Sequence, residues 1–165
     1  MKIIIKNNNT LLFDNFKFKC STGKKGHTKR KKEGDLKTPR GTFTIGPLFY
    51  RKDKYSKIDT KLKKIIIKRN MGWCDDPENK AYNKLIKINK HTKCSYENMF
   101  RKDRKYDLLI PINYNTKAPK KNKGSAIFIH LTNNYEKTEG CIALKEKDMI
   151  ILVKLINKKN KIKIF

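Results

Sequence analysis

Late in the chain of 165 residues, a histidine and a cysteine stand eleven positions apart, at 130 and 141. His130 closes the apolar run Ala126-Ile127-Phe128-Ile129. A polar stretch follows, and the chain returns as Thr138-Glu139-Gly140-Cys141-Ile142. A glycine directly before a cysteine lets the backbone approach a substrate closely and aim its N–H groups inward. An imidazole within reach lets a thiol, whose free pKa is about 8.5, lose its proton near neutral pH. The thiolate would attack a carbonyl, form a thioester and pass the acyl group on. Backbone N–H groups near Gly140 and Cys141 would hold the oxyanion, and one such donor is worth about 2.7–4 kcal/mol of barrier. A competing reading of the same spacing is a strand-end histidine and a buried cysteine with no joint chemistry.

Other residues invite chemistry less sharply. Asp75 and Asp76 beside Trp73 form an acidic and aromatic cluster in a chain short of acid, although Asp-Asp-Pro is also good turn chemistry. Tyr82 and Asn83 belong to the same stretch. Arg40, Arg51 and Arg101 have the fork geometry to bind a carboxylate bidentately, or to serve as surface ion-pair partners. Ser125 precedes the strand that leads to His130 and could hydrogen-bond within a cleft. Gly34-Asp35 and Thr38-Pro39-Arg40-Gly41 read as two turns. His27 and His91 lie in Lys-rich loops. Cys20, Cys74 and Cys94 show no CxxC and no disulfide-scaffold spacing, and read as small buried hydrophobes. His91 and Cys94 lack a second ligand pair, so no metal and no cofactor is expected.

The elements that must position these residues are mostly strands. Apolar or β-branched runs at 1–6, Thr10–Phe13, 16–20, 42–45, 63–69, 107–114 and 125–131 predict strands, the last apolar enough to be central. Ile142–Leu144 extends or ends a strand, and the closing KIKIF alternates like one more. The stretch 21–37, rich in Gly and Lys, predicts a surface loop, and Pro77 and Asn79 put the segment from Asn70 onward in irregular structure. Residues 145–157 predict the one clear helix, with Met149, Ile150, Val153 and Ile156 near 3.6 periodicity. A mainly β (α+β) domain with one or two helices and long functional loops is expected. Its length suits a single domain over 1–165.

Composition bounds the function class. Lys and Arg number 42 against 15 Asp and Glu, a formal charge of +27. Of these cations 36 are Lys and 6 Arg, beside 20 Ile, a single Val and 16 Asn. Lys, Ile and Asn share AT-rich codons, so genome bias accounts for the pattern without selection for function. A strong positive field attracts anions at low salt either way. The lysines are spread along the whole chain and no nucleic-acid-binding motif is present, which argues against nucleic acid as partner. A non-enzymatic basic module for nucleic acid or an anionic polymer remains the alternative from another class. No apolar run of about 18 residues exists, so no transmembrane segment is expected. The start MKIIIKNNNTLLF has no signal-peptide pattern, so the chain stays inside, leaves by another route or is written without its leader.

Several ordered segments carry a resemblance. TEGCIAL with His130 at a strand end resembles the active-site signature of YkuD-type L,D-transpeptidases, bacterial peptidoglycan-modifying enzymes. GDLKTPRGTFTI at 34–45 resembles that family's Gly-Asp-x-x-Thr-Pro-x-Gly segment. MGWCDDPENKAYN at 71–83, SYENMFRKDRKYD at 95–107 and GSAIFIH at 124–130 are similar to segments of one branch. The likeness spans roughly 34–156. It implies an L,D-transpeptidase-like β-sandwich with Cys141 as acyl-accepting nucleophile and His130 as its base. It further implies peptidoglycan stem peptides as partner, no metal and no ATP, and transfer of the acyl group to an amine of a second stem. With water as acceptor, the same dyad would act as an L,D-carboxypeptidase or another hydrolase. Asp75 and Asp76 would bind a stem's free amine or amide, with Trp73 as a wall. Tyr82, Asn83, Arg51, Arg101, Ser125 and Thr138 join the candidate substrate contacts. The common family form has Gly after the His and Arg after Gly-Cys-Ile, where this chain has Leu131 and Ala143; the GWCDDP branch shows the same Ala. A periplasmic or cell-envelope location follows from the substrate.

Overall fold

The computed structural model describes residues 1–7 and 9–165. Among them the chain forms β1 (Lys2–Lys6), β2 (Thr10–Phe13), β3 (Phe16–Lys19), β4 (His27–Thr28), β5 (Thr38–Pro39), β6 (Gly41–Thr44), β7 (Leu48–Tyr50) and β8 (Lys64–Ile66). There follow β9 (Met71–Cys74), β10 (Leu85–Lys87), β11 (Tyr96–Asn98), β12 (Leu108–Pro111), β13 (Phe128–Leu131), β14 (Ile142–Leu144), α1 (Glu146–Leu155) and β15 (Lys161–Ile164). The mainly β expectation with one helix is met.

The two ends of the chain meet in one sheet of order β3-β2-β1-β15-β6. β1 and β15 run parallel there, with Ile3 opposite Ile162 and Ile5 opposite Ile164. β15 alternates Lys with Ile, and β1 reads Lys-Ile-Ile-Ile-Lys with Ile4 half-buried on its outer face, so each strand turns one apolar face inward. Ile3, Ile5, Ile162 and Ile164 are buried.

A second five-stranded sheet, β14-β13-β12-β7-β8, carries the functional segment. Every residue of β12, β13 and β14 is buried, because this sheet is covered on both faces. Alternate side chains sort to opposite sides. Leu108, Ile110, Ile129 and Leu131 join the main core with the isoleucines of the first sheet, while Leu109 and Phe128 join a smaller cluster with Trp73, Met99 and Tyr106. His130, two residues beyond Phe128 on the same strand, faces the smaller cluster's side. Helix α1 buries Met149, Leu152 and Val153 in the main core. Ile150, expected on its apolar face, points outward at 45% exposure, and Leu152 takes the inward place.

The segment after Asn70, expected to be irregular, contains a three-stranded antiparallel sheet of order β10-β9-β11. Its strands are short and two of them are half-exposed, so they carry little hydrophobic periodicity. This sheet backs the small cluster and forms one wall of the site. Strand β7, also unanticipated, pairs with both β12 and β8.

Candidate active site

The parallel pairing of β13 with β14 sets Ile129 opposite Ile142 and His130 opposite Ala143. Cys141, one residue before β14, therefore comes alongside Phe128. The Phe128 N–H donates to Cys141 Sγ at 3.3 Å, and the thiol donates to the Ala126 carbonyl at 3.2 Å. The Tyr106 ring stands edge-on to both Phe128 and His130, at 5.8 and 5.5 Å between centroids, and so marks the face they share. Cys141 and His130 open onto one cleft of about 1010 Å³.

Their protonation states are set by burial. His130, 7% exposed, has its pKa pulled down to about 4, chiefly by loss of hydration. Its Nδ1 lies 2.8 Å from the Leu131 carbonyl. A carbonyl can only accept, so the proton of the neutral ring sits on Nδ1, and Nε2 carries the free lone pair. Burial likewise pushes the Cys141 thiol up to about 12, with the Phe128 N–H pulling the other way. The resting pair is thus a neutral thiol and a neutral imidazole, where spacing alone suggested a thiol ready to ionise near neutral pH.

A tight turn aims the cysteine. Thr138 Oγ1 donates to the Cys141 carbonyl at 2.6 Å and accepts the Gly140 N–H at 3.2 Å. Gly140 has a φ of 144°, and a Cβ there would sit 2.9 Å from the Lys37 carbonyl oxygen, so only glycine fits. The Gly140 N–H, one of the two backbone donors expected near the cysteine, is already engaged by Thr138 Oγ1.

The cleft gathers Asp75, Asp76, Arg101, Ser125 and Thr138 around the pair. Asp75 Oδ1 is buried with no hydrogen-bond partner among the described residues. Asp76 also keeps its turn role, with Oδ1 accepting the Glu78 N–H at 3.0 Å. Arg101 is held by Asp103 and Glu97 and lies over Tyr106. Thr138 is the staple just described.

Four expected substrate contacts lie outside the cleft lining. Trp73 packs edge-on against Phe128 at 5.1 Å in the small cluster and donates Nε1–H to Asn83 Oδ1 at 2.9 Å. Asn83 accepts also from the Ala126 N–H and donates to the Tyr114 and Asn115 carbonyls, so its hydrogen-bonding capacity is spent. Tyr82 is buried and donates to Glu33 Oε2. Arg51, 7% exposed, pairs with Asp53 and Asp107, donates to the Arg101 carbonyl and stacks on Phe100. These four hold the walls instead of facing the cleft.

The cleft also contains groups that spacing did not single out. Glu97 accepts from the Tyr106 hydroxyl at 3.1 Å, and burial raises its pKa. Glu33 accepts from Ser125 Oγ at 2.9 Å, and Lys31, 4% exposed, pairs with Asp35. Glu97 and Tyr106 lie inside SYENMFRKDRKYD, so the motif held the signal without indicating which of its side chains face inward.

The chain is thus a β-sandwich with a central sheet buried on both faces, in which a cysteine just before β14 and a neutral imidazole two residues farther along the paired strand β13 open onto one cleft. The family model of the YkuD L,D-transpeptidase catalytic domain matches residues 2–164, and the chain belongs to that family. Among solved structures, the helical cell shape determining protein Pgp2 from Campylobacter jejuni is similar at a TM-score of 0.52 and 19% identity, covering 98% of this chain and 46% of that one. A point mutant of Pgp2 gives 0.53, 19%, 98% and 45%. An L,D-transpeptidase from Mycobacterium smegmatis gives 0.44 and 13%, covering 99% of this chain and 57% of that one. The chain thus spans about half the length of these relatives. No curated protein matches it in sequence.

Proposed function

We propose that this chain is a cysteine acyltransferase of the L,D-transpeptidase type, acting on peptidoglycan stem peptides, with residues 1–165 as one catalytic domain. The observation that carries the reading is the tautomer of His130. With Nδ1–H held by the Leu131 carbonyl, Nε2 is free to take the thiol proton in the cleft that Cys141 shares. Because both groups rest uncharged, proton transfer accompanies attack on the carbonyl instead of preceding it. Sulfur bonds to the carbonyl carbon, the Cys141 N–H stabilises the oxyanion, and the imidazolium returns its proton to the departing amine. The thioester then passes its acyl group to an acceptor amine, which gives ping-pong kinetics. Asp75, with an unsatisfied buried oxygen, suits the free ammonium of a stem. No step calls on a metal or cofactor. A substrate of this kind places the protein in the cell envelope.

Hydrolysis is the second reading, favoured by one position. Ala143 lines the cleft opposite His130, where the common family form carries an arginine able to hold an acceptor's carboxylate. Without it, water gains ground as acceptor and the product is a trimmed stem.

A carbapenem, a strained acyl donor, is expected to add its mass to the wild-type protein and not to Cys141→Ala. Equal labelling of the variant would remove Cys141 from its role. Purified muropeptides incubated with the protein and analysed by mass spectrometry separate the acceptors: crosslinked dimers mean an amine, release of D-alanine alone means water. A steep, salt-sensitive affinity for DNA with no change in muropeptides would favour the basic-module alternative instead.

A further inference from the structure

Two cysteines unused by acyl transfer stand on one wall of the cleft. Cys74 closes β9 and is fully buried, whereas Cys94, two residues before β11, is partly exposed. The strands run antiparallel with Cys74 opposite Tyr96. The Asp75 N–H donates to the Ser95 carbonyl at 3.2 Å, which carries the pairing one step past the strand ends. Side chains two apart on a strand share a face, so Cys94 falls diagonally across from Cys74 on the side of Tyr96. Burial first, and the adjoining Cys94 thiol after it, hold the Cys74 thiol up to about 11.

We propose that Cys74 and Cys94 are a redox pair that closes into a disulfide in an oxidising compartment and ties down the cleft wall that carries Asp75, Asp76 and Ser95. The oxidant is an external disulfide. The accessible Cys94, as thiolate, attacks one of its sulfurs to give a mixed disulfide and release one thiol. Cys74 then loses its proton to solvent and attacks the Cys94 sulfur, expelling the second thiol. Two protein thiols become one disulfide, and one external disulfide becomes two thiols. The enclosed loop contains β10 and the Asp76–Asn83 turn region, so the crosslink removes freedom from the segment that shapes the acidic side of the cleft.

The test uses the full-length Cys141→Ala protein, so that the cleft thiol does not compete, equilibrated with oxidised and reduced glutathione. The expected result is loss of two titratable thiols, a mass decrease of about 2 Da and a peptide joining Cys74 to Cys94. The Tm should rise by at least about 4 °C and return when dithiothreitol is added. Adding Cys94→Ser should abolish all of these changes. A glutathione adduct persisting on Cys94, a Cys74–Cys20 crosslink, or retention of all three free thiols under oxidised glutathione would overturn the proposal. An oxidised protein with unchanged Tm would overturn its claim on the wall.

Discussion

Burial holds Cys141 and His130 in their uncharged forms, and this has kinetic consequences. The thiolate fraction at neutral pH is small when the thiol's pKa is pushed up to about 12. Iodoacetamide, which reads thiolate, should therefore alkylate Cys141 at a rate that keeps climbing from pH 7 to pH 10. A plateau reached below pH 8 would instead reveal a resting thiolate–imidazolium pair. Replacing the proton acceptor is expected to lower carbapenem acylation by about 10²–10⁴-fold in His130→Gln, measured as a single-turnover rate. An unchanged rate would take His130 out of the proton path. The Gly-Cys order and the histidine are readable in the chain itself, because residue identity carries them. Their uncharged state is not, since desolvation comes from packing against segments distant along the chain, Tyr106 beside His130 among them.

At the scale of elements, the paired strands β13 and β14 bring His130 and Cys141 to one cleft and the β9–β11 sheet supports them from behind. Asn83 is the joint between the two. It accepts from the Trp73 indole and the Ala126 N–H and donates to the Tyr114 and Asn115 carbonyls. Asn83→Ala leaves a buried indole N–H and a backbone N–H without partners, at about 1–3 kcal/mol for each unsatisfied group. Urea unfolding should show a loss of about 2–6 kcal/mol. A loss below about 0.5 kcal/mol would mean that water replaces all four bonds. Strands β1, β2, β12, β13 and β15 are legible from apolar or alternating runs. The β9–β11 sheet is not: Met71-Gly72-Trp73-Cys74 has one glycine and no β-branched residue, and the sheet forms because its partners and the Trp73–Phe128 packing stabilise it.

For the whole molecule, the same desolvation that tunes the dyad sets the pH range of stability. His130 is lowered from its ordinary 6.5 to about 4, so between those values the unfolded chain holds more protons and stability falls as the pH drops. Cys20 and Cys141 are raised from 9.0 to about 12, so the folded chain holds more protons there and stability falls as the pH rises above 9. Thermal denaturation across pH should show a maximum between about 6.5 and 9. The acid limb should be shallower in His130→Gln; an identical limb would assign the acid loss to other groups. The +27 charge adds self-repulsion at low salt, spread over lysines that run along the whole chain. By itself, the sequence determined the β-rich class, the strand runs, the helix and the chemical identities at 130 and 141, because local propensity, periodicity and side-chain type are written residue by residue. Only the tertiary structure decided which acids and cations face the cleft, that Trp73, Tyr82, Asn83 and Arg51 brace its walls, and that the strand ending in Cys74 pairs with the one that Cys94 precedes. Those outcomes rest on contacts between segments distant along the chain, where packing and burial, not spacing, fix the neighbours.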